Sequence, residues 1–428
     1  MSKQGTEAPD QPMPEKAFKE LFGQSHDRGR AGLPVMSLSI GRGLVPRNQD
    51  ERRVETNLSD EQHRLVRAGE LAYNMMRMWQ GVCGLAEEDC LISPAYVVVR
   101  PLNGMDPKFS EYLLTYEETV AQFKLLSFGV VDDRLRLYFK DFERVRVRIP
   151  SPQAQRKIAR ILTTLDNLIH KTEALITKYQ AIKQGMMHGL FTRGVDAHGH
   201  LRPPQSEAPD LYRQSVLSWI PKCWEERPLG SVCTWMSGGT PSKSNPSFWS
   251  GTIPWVSPKD MKRFEIGDSE DHISEEGARI GTRMVPAGTV LIVIRGMILA
   301  HSFPVCLTTA PVTFNQDIKA LTNNGKVCGR YLAYWLVAHA SQMIALATES
   351  THGTKRFDIE DLQGVQLGLP SVDEQQRVVS RLDALAFTQE AEHEQLNKLT
   401  KIKSGLMQDL LTGKVRVKVD ELEEVADA

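Results

Sequence analysis

Two long stretches of the chain carry apolar residues at alternating steps of three and four, the spacing that predicts a helix in a coiled coil. The first stretch has Ile158, Leu162, Leu165, Ile169, Thr172, Ile176, Tyr179, Met186 and Leu190 on this seam. The second has Val378, Leu382, Leu385, Leu396, Leu399, Leu406 and Leu410, interrupted by Gln389 and Glu392. Because a lone helix would leave such a stripe in water, each stretch predicts a partner helix, and the natural partner is the other stretch.

Each long helix is predicted to follow a proline and a serine, Pro150-Ser151 in the first case and Pro370-Ser371 in the second. Proline fixes the turn into the helix, and the serine hydroxyl can cap free backbone N–H groups. At about 1.5 Å per residue, a helix of about forty residues is roughly 60 Å long.

The chain repeats itself at an offset of 220 residues, where the motif at 149–151 meets the one at 369–371 and Gln155 meets Gln375. The match continues upstream with one residue of slippage, so that 67–69 falls opposite 286–288. Such self-similarity indicates two copies of one module, each with a variable globular part followed by a well-matched helix.

The globular parts mix strand and helix patterns. Strands are predicted at 92–99, 145–149 and 288–294, and amphipathic helices at 109–123 and 330–347. The fold class is therefore α/β (mixed α+β), with a pseudo-twofold internal repeat. The predicted segments are a flexible N-terminal segment at 1–30, a first globular part at 31–149, a central long helix at 150–193, a linker at 194–218, a second globular part at 219–369, a C-terminal long helix at 370–413 and an acidic tail at 414–428.

Composition adds little beyond an ordinary globular protein. The 428 residues include 52 Lys and Arg against 53 Asp and Glu, so any basic surface must be local and offset elsewhere. The N-terminus has no apolar signal segment, and no apolar run is long enough to span a membrane. We therefore expect a cytoplasmic protein that makes no membrane contact.

The chain lacks motifs for chemistry of its own. Its six cysteines and eleven histidines are dispersed, which predicts free thiols and no metal site. The glycine-rich stretch 238–242 has no phosphate-binding lysine, and the Asn-Pro-Ser-Phe at 245–248 lacks the second proline of a methyltransferase box. We expect no catalytic residue and no cofactor in this chain.

Both repeats carry a pattern of Leu/Ile-Pro, then Gln, then Lys-x-Gly-x-Met and Leu-x-Thr, at 149–192 and 369–413, with Glu before that Gln in the second repeat. The second globular part opens with Ser-Gly-Gly-Thr-Pro-Ser at 237–242 and Ile-Pro-Trp-Val-Ser-Pro-Lys-Asp at 253–260. In these motifs the chain resembles the specificity subunits of type I restriction–modification systems. It departs from the pattern at Ala154, where the second copy has Glu374, and at 36–40, where no Gly-Gly-Thr-Pro occurs.

The resemblance implies two target recognition domains joined by two long helices that form an antiparallel coiled coil. Each domain would read one half of a bipartite, asymmetric DNA target, and the helices would fix the spacer. Partners would be double-stranded DNA, two methylation subunits and, in a full restriction system, two restriction subunits. S-adenosylmethionine, ATP and Mg would be held by those subunits, and this chain would be non-catalytic.

Base readout requires amide, hydroxyl or basic side chains on base edges. The candidates for DNA binding in the first globular part are Arg42, Arg47, Asn74, Arg77, Arg134 and Arg136. Those in the second are Ser242, Lys243, Asn245, Lys259, Thr354, Lys355 and Arg356, the last three in a short basic loop that begins at Thr351.

The candidates for docking the methylation subunits lie in the matched Lys-x-Gly-x-Met segments: Lys183, Gly185, Met187, Lys403, Gly405 and Met407. Since glycine within a helix costs about 1 kcal/mol relative to alanine, the close approach of another backbone would explain it. The alternative explanation is packing where the two long helices cross.

Two other functions stay open. The chain could be a coiled-coil scaffold without DNA binding, although two divergent globular parts argue against that. It could also be a self-contained DNA-modifying enzyme, against which the missing methyltransferase and nuclease motifs argue.

Overall fold

The computed structural model describes residues 13–47, 58–129, 135–349 and 354–419. The chain divides into unit 1, which is Met1–Glu173 with Glu394–Ala428, and unit 2, which is Ala174–His393. Each unit contains one globular part, here called head 1 and head 2, and a portion of both long helices.

Unit 1 begins with short strands and helices. Its strands are β1 (Glu15–Ala17), β2 (Phe22–Ser25), β3 (Met36–Ser39), β4 (Gly43–Pro46), β5 (Arg64–Val66), β6 (Leu71–Asn74), β7 (Cys83–Leu85), β8 (Cys90–Ile92), β9 (Tyr96–Pro101) and β10 (Arg146–Arg148). Its helices are α1 (Phe18–Leu21), α2 (Pro107–Thr115), α3 (Glu117–Leu126), α4 (Phe139–Phe142) and the start of α5 (Pro152–Thr192).

Unit 2 repeats this order with additions. Its strands are β11 (Tyr212–Ser215), β12 (Ser218–Pro221), β13 (Glu225–Pro228), β14 (Cys233–Ser237), β15 (Ile253–Val256), β16 (Glu265–Ile266), β17 (His272–Ile273), β18 (Met284–Val285), β19 (Val290–Val293), β20 (Val305–Thr308), β21 (Val312–Phe314), β22 (Ile318–Asn323), β23 (Thr348–Glu349), β24 (Lys355–Arg356) and β25 (Gln366–Leu369). Its helices are α6 (Leu229–Val232), α7 (Glu275–Gly281), α8 (Gly329–Ala338), α9 (Ala340–Ala345), α10 (Ile359–Gly364) and α11 (Val372–Leu411), of which the last ends in unit 1.

The main sheets of the two heads have the same topology. In head 1 the strand order is β2-β9-β6-β7, and in head 2 it is β14-β22-β19-β20-β16. A two-stranded pair precedes the long helix in both, β1 with β10 and β13 with β25. Because the first four strands of each sheet come in the same order and sense, the repeat seen in the sequence is a repeat of the fold.

The two predicted long helices are confirmed, with bounds of Pro152–Thr192 and Val372–Leu411. The seam residues face inward: in unit 1, Ile158 and Leu162 share a buried cluster with Leu410 and Leu411. Asp166 also lies 2.5 Å from the Lys403 ammonium. In unit 2 the end of α5 and the start of α11 enter the core of head 2, because Leu190 and Val378 belong to that cluster.

A buried glutamine connects each head to its long helix. Gln155 accepts a hydrogen bond from the Asp106 N–H at 2.9 Å and donates to the Pro150 carbonyl at 3.0 Å. Gln375 makes the matching bonds, from the Cys328 N–H at 2.8 Å and to the Pro370 carbonyl at 3.0 Å. Asp106 and Cys328 are the N-cap residues of α2 and α8, so each glutamine joins the start of an equivalent helix to the long helix that follows it.

We expect Gln375→Leu to destabilise unit 2 by about 2–3 kcal/mol, because it removes the amide that pairs with the part-buried Cys328 N–H and the buried Pro370 carbonyl. The midpoint of urea unfolding of the full chain measures this loss. Gln376→Leu is the matched control, since Gln376 is exposed on the next position of the helix. Equal midpoints for the two variants would contradict the role of the buried amide.

The prediction that residues 1–30 are flexible is wrong for residues 13–30, the part that the structure describes. Phe18, Leu21 and Phe22 are fully buried, and the Phe18 ring packs at a tilt against the Phe142 ring, with the centroids 4.9 Å apart. These aromatic side chains bury enough apolar surface to order a stretch that is otherwise polar. Head 1 therefore starts well before residue 31.

Two predicted helices and one strand are each broken once. The helix at 109–123 divides at Tyr116, which is extended, and the helix at 330–347 divides at His339. The strand at 92–99 divides at a turn that contains Pro94, where the Ser93 hydroxyl accepts from the Ala95 N–H. Local turn chemistry interrupts an apolar pattern that is continuous in sequence.

The predicted linker at 194–218 is largely ordered within unit 2. Val195 is completely buried, and β11 and β12 form a hairpin. A buried ion pair holds the segment, because the Arg202 guanidinium contacts the Glu374 carboxylate at 2.5 and 2.9 Å. The same carboxylate accepts from the Val195 N–H at 2.9 Å and from the Trp224 indole N–H at 3.1 Å.

The predicted acidic tail at 414–428 is also partly ordered. Its described residues, 414–419, alternate basic and valine positions, and Val417 packs against the core of unit 1. The second long helix ends at Leu411, and Gly413 follows in the turn with a φ of 75°, which favours glycine. The Met13 side chain fills the space that a Cβ at Gly413 would need. The acidic residues from 420 onward lie outside the described residues.

Candidate nucleic-acid interface

In head 1, the segment that follows strand β6 is paired with a basic segment from the far end of the head. The Leu137 N–H donates to the Met75 carbonyl at 2.9 Å. Arg136 exchanges backbone hydrogen bonds with Phe128, which places it on the strand-like segment beside the loop. We call residues 74–80 with 135–137 loop pair 1. It brings together Asn74, Arg77 and Arg136, three of the predicted DNA-binding residues.

In head 2, the segment after strand β19 is paired in the same way. The Phe357 N–H donates to the Ile294 carbonyl at 2.9 Å, and the Gly296 N–H donates to the Lys355 carbonyl at 3.0 Å. We call residues 294–301 with 354–357 loop pair 2. The positions bonded in the two heads differ by 219 residues for the acceptor and 220 for the donor, which is the offset of the repeat.

Loop pair 2 contains Thr354, Lys355 and Arg356, the strongest candidates from the sequence. Arg356 is exposed, and Lys355 lies 3.9 Å from Glu349 on the neighbouring strand β23. The loop is held from below by the ion pair of Arg295 with Asp317 at 2.6 Å. Loop pair 2 therefore presents its basic side chains from a backbone that is held in place by these contacts.

Three other candidates in head 2 are engaged with their own neighbours. The Asn245 side chain caps a 3₁₀ turn by accepting from the Ser247 N–H, and the Ser242 hydroxyl contacts that of Ser244. The Lys243 ammonium lies over the Trp249 ring at 6.0 Å. No hydrogen bond or ion pair among the described residues links these side chains to loop pair 2. Their role in DNA binding stays a prediction.

Lys259 is held by two carboxylates, Asp271 at 2.9 Å and Glu270 at 3.1 Å. These hydrogen bonds, that of Asp271 above all, raise the pKa of the ammonium above its ordinary value. A lysine that is already neutralised offers little to a phosphate. Of the sequence candidates it has the weakest geometric support.

The remaining head 1 candidates lie on or near the β3–β4 hairpin. Arg42 is exposed in its turn, and the Arg47 N–H donates to the Val35 carbonyl at 3.1 Å. Both stay predictions, since neither belongs to loop pair 1. Arg134 and Thr351 lie outside the described residues.

Sequence reasoning missed the apolar side chains at the tips of the loop pairs. Met297 and Ile298 are 64% and 41% exposed in loop pair 2, and Met76 is 44% exposed in loop pair 1. Base readout by hydrogen bonds points only to polar and basic side chains, so it does not predict these apolar ones. The signal available in the sequence was their position in the loop that follows β6 or β19.

The docking candidates on the long helices divide into exposed and buried positions. Gly185 and Gly405 are exposed, and a Cβ built on either has no atom within 4 Å. The explanation of these glycines by helix crossing is therefore wrong, because no helix of the described chain packs against them. Lys183 is half-buried, and burial lowers the pKa of its ammonium.

The other docking candidates face inward. Met187 is buried in the core of unit 2, so its assignment to a docking surface is wrong. Met407 packs against the core of unit 1. The Lys403 ammonium is bound by Asp166 and lies over the Tyr112 ring at 5.6 Å. An inward seam explains why these positions match between the repeats.

Among residues 13–47, 58–129, 135–349 and 354–419, no group of three or more His, Cys, Asp or Glu is placed to hold a metal ion. Within the same ranges no helix is both long and apolar enough to cross a membrane. Burial raises the pKa of Cys90 to about 11 and those of Cys233 and Cys306 to about 12. These thiols are therefore protonated core residues near neutral pH.

Residues 76–179 and 221–401 match the sequence family described as the type I restriction modification DNA specificity domain. Over 253 residues the chain is 30% identical to the EcoR124I/EcoR124II specificity subunit of Escherichia coli, covering 59% of this chain and 58% of that protein. The HindI specificity subunit of Haemophilus influenzae is 21% identical over 418 residues, covering 84% of this chain and 89% of its own length.

Two solved structures share the fold. The S subunit of a type I restriction–modification system from M. genitalium superposes with a TM-score of 0.58 at 14% identity, covering 96% of this chain and 99% of that one. A chain from a study of assembly and conformational transition of the type I R-M system gives 0.53 at 15% identity, covering 96% and 100%. At these identities the likeness concerns the fold alone.

Proposed function

This chain belongs to the family of type I restriction modification DNA specificity domains, and we propose that it is the DNA-specificity subunit of such a system. In this proposal each head reads one half of a bipartite, asymmetric double-stranded target. The chain itself performs no catalysis, and it acts in the cytoplasm.

The observation that carries the proposal is the pair of equivalent loop pairs with different side chains. Loop pair 1 presents Asn74, Arg77 and Arg136, whereas loop pair 2 presents Thr354, Lys355 and Arg356. Groups of these types read base edges in the major groove or bind phosphates. One backbone arrangement with two sets of side chains is what an asymmetric target requires.

The long helices serve as the ruler between the half-sites in this proposal, as an antiparallel coiled coil. In support, the Ile158 end of α5 shares a core with the Leu410 end of α11, and Asp166 pairs with Lys403. Two antiparallel helices that pack together resist bending better than a single helix does. Half-site spacing then follows from the length of the paired rods.

Two methylation subunits dock on the helices, in this proposal at the exposed glycines Gly185 and Gly405. Open space beside a mid-helix glycine allows another backbone to approach closely. Those subunits hold S-adenosylmethionine, and restriction subunits, where they join the complex, hold ATP and Mg. This division of labour agrees with the dispersed histidines and cysteines of the present chain.

Methylome mapping of cells with and without this chain tests the proposed function. We expect a split motif that is methylated only when the chain is present together with its methylation subunits. Arg136→Ala should reduce the discrimination between bases in one half of the motif and Arg356→Ala in the other, each by about 5- to 150-fold, since a base contact contributes roughly 1–3 kcal/mol. Lys222→Ala is the control, because Lys222 is an exposed basic residue of unit 2 outside loop pair 2, and it should leave both halves unchanged.

Two outcomes would favour the other functions. Methyl transfer from labelled S-adenosylmethionine by the isolated chain would support a self-contained enzyme. If the assembled complex showed no salt-sensitive binding to any duplex, the chain would be a scaffold, because phosphate contacts release counterions and make DNA binding depend on salt.

A further inference from the structure

Both loop pairs end in an apolar tip that the proposed polar readout does not use. In loop pair 2 a 3₁₀ turn, Met297–Ala300, exposes Met297 and Ile298. In loop pair 1 the equivalent segment exposes Met76 just before the turn Met78–Gln80. Each head therefore exposes apolar side chains in the same loop, although at the 219-residue offset of this loop Met76 aligns with Arg295 and Met297 with the buried Met78.

The tips are held on fixed supports. One residue of each turn is completely buried beneath it, Leu299 in head 2 and Met78 in head 1. In head 2 the Phe303 and Phe357 rings meet edge to face at 5.4 Å below the loop. In head 1 the Met76 N–H donates to the Asn74 side chain at 3.0 Å. The exposed side chains therefore project from ordered backbone.

The surroundings of the tips favour DNA over a protein partner. Arg356 and Lys355 flank the tip of loop pair 2, and Arg77 and Arg136 flank that of loop pair 1. A protein-docking patch has an apolar centre that is depleted of charge. Small apolar tips bordered by basic groups fit a surface that carries phosphates around bases.

We propose that Met297 and Ile298 in head 2, and Met76 in head 1, contact the 5-methyl group of thymine in the major groove. This inference rests on the proposed DNA-reading function and names a specificity contact within it. The thymine methyl is the apolar group that base edges present in the major groove, so an apolar side chain there reads an A·T pair. A neighbouring arginine or lysine then reads guanine or a phosphate.

The test uses the complex of this chain with its methylation subunits and a duplex that carries the mapped split motif. Deoxyuridine replaces thymine, in either strand, in one half-site at a time, which removes only the methyl group. We expect each substitution that a tip reads to weaken binding about fourfold, the effect of one buried methyl group. Met297→Ala with Ile298→Ala should abolish this sensitivity in one half-site, and Met76→Ala in the other.

Met284→Ala is the matched control, because Met284 is 49% exposed on head 2 but lies outside loop pair 2. It should retain the native sensitivity to deoxyuridine in both halves. Normal binding without any deoxyuridine effect would overturn the methyl contact while leaving the proposed function intact. A half-site without an A·T pair would also overturn the methyl contact and leave the proposed function intact. So would tip variants that fail to assemble with the methylation subunits. Failure to bind every duplex would overturn both proposals.

Discussion

Glu374→Ala is expected to lower the free energy of unfolding of unit 2 by about 3–5 kcal/mol, the usual cost of removing one partner of a buried ion pair. The Glu374 and Arg202 side chains are only 4% and 12% exposed. Burial by itself would lower the pKa of Arg202, but the hydrogen bonds and charge of Glu374 outweigh it, so the pKa lies above its ordinary value. Without Glu374 this guanidinium stays charged in a site that has lost the carboxylate bound to it.

Calorimetry of the full chain measures this loss, and tryptophan fluorescence reports it locally, because the Trp224 indole donates to Glu374. Asp373→Ala is the matched control, since Asp373 is an exposed carboxylate one position earlier on the same helix. Combining Glu374→Leu with Arg202→Met should recover much of the stability, because no unpaired charge remains. A stability unchanged by Glu374→Ala would show that water or another group satisfies Arg202.

Inserting one heptad into both long helices is expected to lengthen the spacer of the DNA target and leave both half-motifs unchanged. Seven residues add about 10 Å of helix, which corresponds to at most about three base pairs. The insertion points are after Glu173 in α5 and after His393 in α11, where each helix passes between the units. Methylation of the original target should fall by more than about a hundredfold, since one half-site is lost.

Methylome mapping reads out this experiment, with a four-residue insertion at the same two points as the control. Four residues rotate the apolar seam out of register, so that variant should lose stability as well as its target. Insertion into one helix alone should also be disruptive, because the paired rods then differ in length. If the heptad insertion altered the half-motifs, it would contradict the proposal that the paired long helices only fix the spacer between them.

The long helices were predicted from sequence to within two residues, because a heptad seam depends only on local spacing. The heads were predicted less well. Phe18 and Phe22 order the start of the chain through contacts with Phe142, more than a hundred residues away. Long-range packing of this kind leaves no periodic trace in a polar segment.

The candidate interface was predicted in part. Arg136 and Arg356 were chosen as basic residues at matched positions, but their pairing with 74–80 and 294–301 depends on backbone hydrogen bonds between distant segments. The matched Gln155 and Gln375 were visible in the sequence, whereas their partners Asp106 and Cys328 differ in type and could not be matched. The fold decides which backbone groups pair, so these pairs cannot be predicted from the identities of the residues.

The contact of Met13 with Gly413 has a consequence for how the chain can be read. The start of the first module lies against the end of the second, much as Trp224 lies against Gly194 where the first module ends and the second starts. In each unit the start of one module thus packs against the end of the other. A circular permutant opened near 203–208 would keep the same contacts within each unit.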